Sequence, residues 1–411
     1  MSEALKSVDR HLADILEVVA PLAPLDLSLL DAHGCVLAED IVATGPLPPF
    51  DNSAMDGYAV RRGDLLRASA AAPVSLPVVG DIPAGTASPL SVQPGFCVRI
   101  MTGALLPSGA DAVVPLEWTD GGIANVRIER TPEPGQHIRR AGEDVRTGDL
   151  VAAAGTHLGA AQIGLLAAAG RPAVAVRPRP RVVVVSTGSE LVEAGSHVGP
   201  GKIVDSNSFA LTTAAREAGA IAYRVGIVPD DPQQLLTTLE DHLIRADLIV
   251  TSGGVSVGAY DVVKEVLGRL GTVAFDRVAM SPGMPQGFGV IGPDRTPFFG
   301  LPGNPVSALV SFEVFVRPAL RRMLGAEPLQ RPTVTARAAR PLHAPAGRRG
   351  FVRVHLEVTD GAYVVSPVGG SGSHLLAGMA AANALAVVPE HVTEIAAGDP
   401  VTVLLLERRG R

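Results

Sequence analysis

Cysteine is almost absent from this 411-residue chain: only Cys35 and Cys97 occur, with no Cys-x-x-Cys pair. Neither a disulfide framework nor a thiolate zinc site is therefore encoded, and both thiols are expected to be reduced and structural. Lysine is nearly as scarce, at Lys6, Lys202 and Lys264, and the formal net charge is −6. That balance supplies no basic field for a nucleic-acid backbone. Long apolar runs are missing too. Hydrophobic residues make up 47% of the chain, but Gly and Pro interrupt them before any run reaches the roughly 18–20 residues that cross a bilayer. The start, MSEALKSVDRHLADILEVV, carries Glu3, Asp9, Asp14 and Glu17 on an apolar pattern of helical period, which predicts an amphipathic helix and not a signal peptide. These absences argue against membrane and nucleic-acid partners and make the cytoplasm the expected location. Neither a Gly-x-x-x-x-Gly-Lys-Ser/Thr loop nor a Gly-x-Gly-x-x-Gly turn is present, so ordinary ATP hydrolysis and dinucleotide binding lack their usual support.

What is present divides the chain into parts. Residues 1–45 and 142–176 carry Ala/Leu helical patterns such as AAQIGLLAAAG and predict a linking domain. Between them, residues 46–141 shift to short β-rich runs, PVSLPVVG and GFCVRIM, broken by Pro and Gly, and predict an inserted β-rich domain. Residues 177–326 alternate apolar strands with amphipathic segments: RVVVVSTGSE, AYRVGIVPDD and DLIVTSGGVSVG, then strands near VAFDRVAM and TPFFGL. That alternation predicts a doubly wound α/β sheet. Residues 327–411, with the alternation in FVRVHLEV and YVVSPV, predict a small C-terminal β domain.

Open α/β sheets bind ligands beyond the carboxyl ends of their strands. Here those ends read STGSE (186–190), VPDD (228–231), TSGGVSVGAYD (251–261), MSPGMP (280–285) and GLPGNP (300–305). Small residues let a ligand approach backbone amides, and Gly253, Gly254 and Gly258 can take positive φ and wrap those amides around an anion. The last of these loops enters a helix whose N-terminus favours negative charge. Phosphate is the expected guest. Ser186, Thr187 and Gly188, then Ser252, Gly253, Gly254 and Ser256, then Pro302, Gly303, Asn304 and Pro305 are the candidate contacts. Carboxylates on the same rim would repel phosphate without a cation between them, which points to Mg²⁺ held by Asp261, Asp230 and Glu190, Asp261 first. Asp261 and Asp231 also suit helix N-caps, and each glycine loop alone reads as a turn.

The segment PPFDNSAMDGYAV, residues 48–60, resembles the signature of the molybdopterin molybdotransferase family, which includes bacterial MoeA and the E domain of gephyrin. RIMTGALLPSGADAVV, RRAGEDV, STGSEL, DSN, TSGGVSVG and GLPGNPVSA continue the likeness in the family's order. The resemblance implies a homodimer of four-domain subunits with the active site between subunits. The α/β domain would be similar to molybdopterin adenylyltransferase, which is also the implied transfer partner, and the last domain a small barrel. Adenylylated molybdopterin and molybdate would react with Mg²⁺ to give molybdenum cofactor and AMP. By position, Asp56, Thr102, Asp144, Glu190, Asp230, Asp261, Pro302 and Pro305 match functional positions, with Asp56 and Asp144 reaching the partner subunit's site. Where many relatives carry Lys-Pro-Gly-Lys-Pro, this chain has Ser281-Pro282-Gly283-Met284-Pro285. Neither Ser nor Met replaces that charge. Arg277 falls where relatives also carry a cation and, with Ser281, is a candidate contact; Arg139 and Arg140 are candidate substitutes. A scaffold that keeps the fold with little activity, and the adenylyltransferase step itself, are the alternative functions.

Overall fold

The computed structural model describes residues 5–86, 90–253 and 266–406. Two units are present: the described residues of 1–38, 155–159 and 173–411, and those of 39–154 with 160–172.

The first unit is organised by the valine run. Arg181–Ser186 lies inside a six-stranded sheet, and alternate side chains leave it on opposite faces. Val182 and Val184 join one cluster with Leu211, Phe299 and Phe312, while Val183 and Val185 join another with Leu235, Leu239 and Phe298. Both faces are covered, so the strand is apolar without alternation, and each buried valine contributes roughly 1.5–3 kcal/mol over exposure. Strand order across the sheet is Ile221–Arg224, Arg181–Ser186, Leu248–Ser252, Thr296–Leu301, Pro285–Ile291 and Gly271–Arg277. The first four are parallel. Pro285–Ile291 is antiparallel to both its neighbours, so the doubly wound sheet carries a mixed edge. The sequence predicted the two strands flanking this one and not the strand itself. Glycines hide it: a Cβ on Gly289 would lie 2.0 Å from the Thr272 carbonyl oxygen, so backbone packing excludes the β-branched residues that mark a strand.

The C-terminal part of this unit closes a five-stranded barrel, in which Arg349–Thr359 pairs with both Ala362–Pro367 and Ala384–Val388. Met280–Ser281 adds to it in parallel with Arg349–Gly350. Near the N-terminus, Leu25–Ser28 and Val36–Leu37 flank Ala173–Arg177. The second unit contains a five-stranded sheet ordered Ala112–Pro115, Gly57–Val60, Cys97–Ile100, Val74–Ile82 and Asn125–Ile128. Cys35 and Cys97 are both buried free thiols, and burial pushes Cys97 up to about 12. No helix among the described residues is long and apolar enough to cross a membrane.

The helix Val8–Val18 begins at the Ser7 cap, whose hydroxyl accepts from the Arg10 amide. It buries His11 edge-on against Phe315, with ring centroids 4.8 Å apart. Burial pushes the His11 pKa down to about 4, the Lys6 ammonium adds to that, and the carboxylates of Asp276 and Asp14 oppose it. An unfolded chain therefore binds a proton at His11 near pH 6.5 that the folded chain refuses until about pH 4. Stability is complete above that window and falls on acidification through it, by about 3 kcal/mol if the whole shift is expressed. Calorimetric unfolding midpoints should drop between pH 6.5 and 4.5 more for the wild type than for His11→Leu. Equal drops would remove His11 as a cause.

Candidate active site

Strand register assembles the rim. Ser186 stands beside Ser252, and Ser252 beside Leu301, so three loops leave the carboxyl edge from adjacent positions. They are tied to one another. The Thr187 amide donates to Ser252 O at 3.0 Å, the Gly188 amide to Val228 O at 3.1 Å, and the Gly253 amide to Leu301 O at 3.2 Å. Gly253 has φ +94°, and a Cβ there would meet Thr187 O at 2.3 Å, so only glycine fits where these loops touch. A Cβ on Gly303 would lie 3.7 Å from the Gly253 Cα, which places the Pro302–Pro305 turn against the same point. At this junction the Thr187 hydroxyl is buried with no hydrogen-bond partner among the described residues. A phosphate oxygen would supply the acceptor it lacks.

The acids divide by role. Asp230 Oδ2 accepts from the Ser189 amide at 3.0 Å, and the Asp230 amide donates back to Ser189 Oγ at 3.2 Å, which joins the VPDD loop to STGSE. Asp231 is a helix N-cap, accepting from the Gln234 amide at 2.8 Å. Glu190 is exposed and folds back over its loop, its Oε2 being 2.6 Å from where a Gly188 Cβ would stand. Glu190 and Asp230 are thus hard oxygen donors on one loop pair, as Mg²⁺ requires. Asp261, the third expected ligand, lies outside the described residues with Gly254 and Ser256. Among the described residues no group of three or more His, Cys, Asp or Glu side chains is placed to hold a metal.

The helix after GLPGNP differs from expectation. Pro305 has no N–H, and the Val306 amide donates to Ser373 O at 3.0 Å, so that amide is not open to an anion. Ser373 belongs to the Gly-Ser-Gly-Ser-His loop of the C-terminal barrel. Arg353, 5% exposed, shapes that loop by donating to the carbonyls of Gly370, Gly372 and Leu375. His374 itself is an exposed loop residue.

On the mixed edge of the sheet, Arg277 pairs opposite Pro285, and its guanidinium lies 3.7 Å from the Met284 sulfur. Arg277 runs out at the same edge as Ser252 and Leu301, so an exposed cation does stand beside the lysine-free SPGMP turn. Ser281 instead pairs its backbone with Gly350 of the barrel. Arg140, in the second unit, is committed to Asp51 at 2.6 Å, and Arg139 pairs with Asn52.

In the second unit Asp56 and Thr102 come together. Asp56 Oδ1 accepts from the Thr102 amide at 2.7 Å and from its hydroxyl at 2.8 Å. These donors, the amide first, with the Arg99 charge nearby, hold the Asp56 carboxyl below the usual range. The turn around it is pinned: Ser53 Oγ donates to Met55 O, the Ala54 amide to His137 O, and the Leu116 amide to Asp56 O. Asp144 is exposed on a different loop, its amide donating to Leu47 O at 3.0 Å, with no hydrogen bond to Asp56 or Thr102 among the described residues.

Sequence reasoning missed Arg99 and a polar cluster behind the rim. Asp205, 2% exposed, accepts from Ser186 Oγ at 2.9 Å and from the Ser208 amide at 3.1 Å. Ser208 Oγ and Arg224 reach its other oxygen at 2.5 and 3.5 Å. Its only sequence signal was the DSN triplet.

Three family models match this chain in order: "MoeA N-terminal region (domain I and II)" at residues 6–170, "Probable molybdopterin binding domain" at 183–322 and "MoeA C-terminal region (domain IV)" at 335–406. Molybdopterin molybdenumtransferase 2 of Mycobacterium tuberculosis is 47% identical over 405 residues, spanning 97% of this chain and 99% of that protein. Molybdopterin molybdenumtransferase 1 of the same organism is 44% identical over 426 residues, spanning 99% and 100%. The crystal structure of the molybdopterin biosynthesis MoeA protein from Pyrococcus horikosii matches with a TM-score of 0.81 at 33% identity, over 98% of this chain and 100% of that one. With its valine-centred sheet, its C-terminal barrel and its likeness to these proteins along nearly the whole length, the chain belongs to the MoeA family of molybdopterin molybdenumtransferases.

Proposed function

We propose that this enzyme is a molybdopterin molybdenumtransferase that takes adenylylated molybdopterin and molybdate, forms the molybdenum cofactor and releases AMP. The observation that carries the reading is the junction of Thr187, Gly253 and Gly303, where Gly253 admits no side chain and the buried Thr187 hydroxyl has no hydrogen-bond partner among the described residues. A phosphate oxygen of the nucleotide-bearing pterin would supply the acceptor that this hydroxyl lacks. The absence of a Walker lysine suits a nucleotide already joined to the substrate. Glu190 and Asp230, with Asp261, would hold Mg²⁺, which supplies charge neutralisation at the phosphates. Asp230 is kept at the rim by Ser189, and Arg277 offers the exposed cation that an oxyanion needs. The same reading makes the working unit a cytoplasmic homodimer in which Asp56 and Asp144 of one protomer complete the rim of its partner. Molybdopterin adenylyltransferase would deliver the substrate.

The test is direct. Full-length protein given adenylylated molybdopterin and molybdate should release AMP in step with pterin consumed, lose that activity in EDTA and regain it with added Mg²⁺. Asp56→Asn should lower turnover about tenfold, within the range of a lost charged contact, and shift the unfolding midpoint little, because the pinned turn accepts the isostere. No AMP from wild-type protein under these conditions would defeat the reading.

A further inference from the structure

Asn207 is the first residue of the helix Asn207–Glu217 and belongs to none of the five rim loops. Its side-chain amide nevertheless donates to Ser252 Oγ and to Gly303 O, both at 2.7 Å. One NH₂ group thus spans two loops that the sequence separates by about fifty residues. They are the two loops that meet at Gly253. The base of Asn207 is fixed as well, because the Asp205 carboxylate grips the Ser208 amide and hydroxyl and also Ser186 Oγ on the neighbouring strand. Arg224 secures that grip from below, donating to Ser208 Oγ at 2.6 Å while its guanidinium lies 4.2 Å from the Phe209 ring centre. An amide held rigidly at its root and bonded at its tip to two glycine-bearing loops is a cross-brace. Nothing in local helix chemistry requires it: the cap position is Ser206, and Asn207 makes no side-chain bond within its own helix among the described residues.

We infer that Asn207 is a positioning residue of the phosphate cradle, holding the Ser252–Gly253 loop and the Pro302–Pro305 turn at the separation that fits a nucleotide phosphate. This rests on the transferase reading for the identity of the ligand, while the brace itself consists of hydrogen bonds within this chain. A cradle ordered before binding spares the ligand the entropy of ordering it. Removing the brace should therefore weaken ground-state and transition-state binding alike, which raises KM and leaves kcat nearly intact. Asn207→Asp is the sharper variant. A carboxylate can still accept from Ser252 Oγ but faces the Gly303 carbonyl with like polarity, at unchanged volume.

Steady-state AMP release and calorimetric titration with 5′-AMP would be run on wild type, Asn207→Ala and Asn207→Asp. The expected result is a KM for adenylylated molybdopterin raised about 10- to 100-fold, on the scale of two lost hydrogen bonds, with kcat within about threefold and weaker AMP binding in the same ratio. Asn207→Asp should be the more impaired, and unfolding midpoints should stay within a few degrees. Variants with wild-type KM and AMP affinity would overturn the inference while leaving the transferase reading intact. If wild type binds AMP without turning over, the transferase reading fails, and the AMP titration still decides on Asn207. Wild type that neither binds nor releases AMP would overturn both.

Discussion

Gly253→Ala is expected to lower kcat/KM for AMP release by about 100-fold. Two costs combine. At φ +94° an alanine is strained by roughly 1–3 kcal/mol on backbone grounds alone. Its Cβ would also sit 2.3 Å from Thr187 O and 3.1 Å from Thr187 Oγ1, and the nearer neighbour is backbone, which cannot yield by rotating a side chain. The Thr187 strand end must move, and with it the hydroxyl proposed to meet phosphate. Displacement of a substrate-positioning group by about 1 Å costs on the order of 100-fold in rate. Gly148→Ala is the matched control, with φ +90° and open space where its Cβ would go. It pays the backbone strain without the collision and should keep kcat/KM within about twofold of wild type. Should Gly253→Ala lose no more activity than Gly148→Ala, the junction of the three loops would not be where the substrate sits.

How far the sequence could lead to this junction depends on the range of the contacts involved. The valine run announced itself because a strand covered on both faces needs no polar alternation, and the glycine and proline punctuation marked the strand ends beside it. The strand Pro285–Ile291 stayed hidden because the close approach of Thr272 O selects glycine over β-branched residues at Gly289. Asp230 and Asp231 are adjacent and chemically alike, and only the fold separates them, one bonded across 41 residues to Ser189 and the other to the helix it starts. Asn207 reaches Gly303 across 96 positions, a spacing that carries no local pattern. Ser373 O accepts from the Val306 amide, a contact between distant segments that likewise carries no local pattern. Asp56 with Thr102 was reached through the family resemblance, whereas Arg99, the first residue of the RIMTGALLPSGADAVV segment, was not singled out within it.

Asp205→Ala should be the most destabilising substitution near the rim, by about 3–5 kcal/mol, the scale at which a buried charged network loses one partner. The reason is the number of groups it leaves behind. Ser186 Oγ, the Ser208 amide and the Ser208 hydroxyl all point at a carboxylate that is 2% exposed, where water cannot readily replace it. Arg224 would keep Glu193 as a counter-charge but lose Asp205, so its half-buried guanidinium is not abandoned entirely. Asp205→Asn should recover part of the loss, since its remaining oxygen can still accept from Ser186 and Ser208 while its NH₂ group confronts Arg224 with a second donor. The ordering wild type, Asp205→Asn, Asp205→Ala in denaturant midpoint is therefore the expected result. Because Asp205 anchors the root of Asn207, AMP affinity should fall in the same order even at temperatures where every variant is folded. A midpoint for Asp205→Ala equal to that of wild type would mean that the cluster merely fills space, and the rim would then have to owe its shape to the strand ends alone.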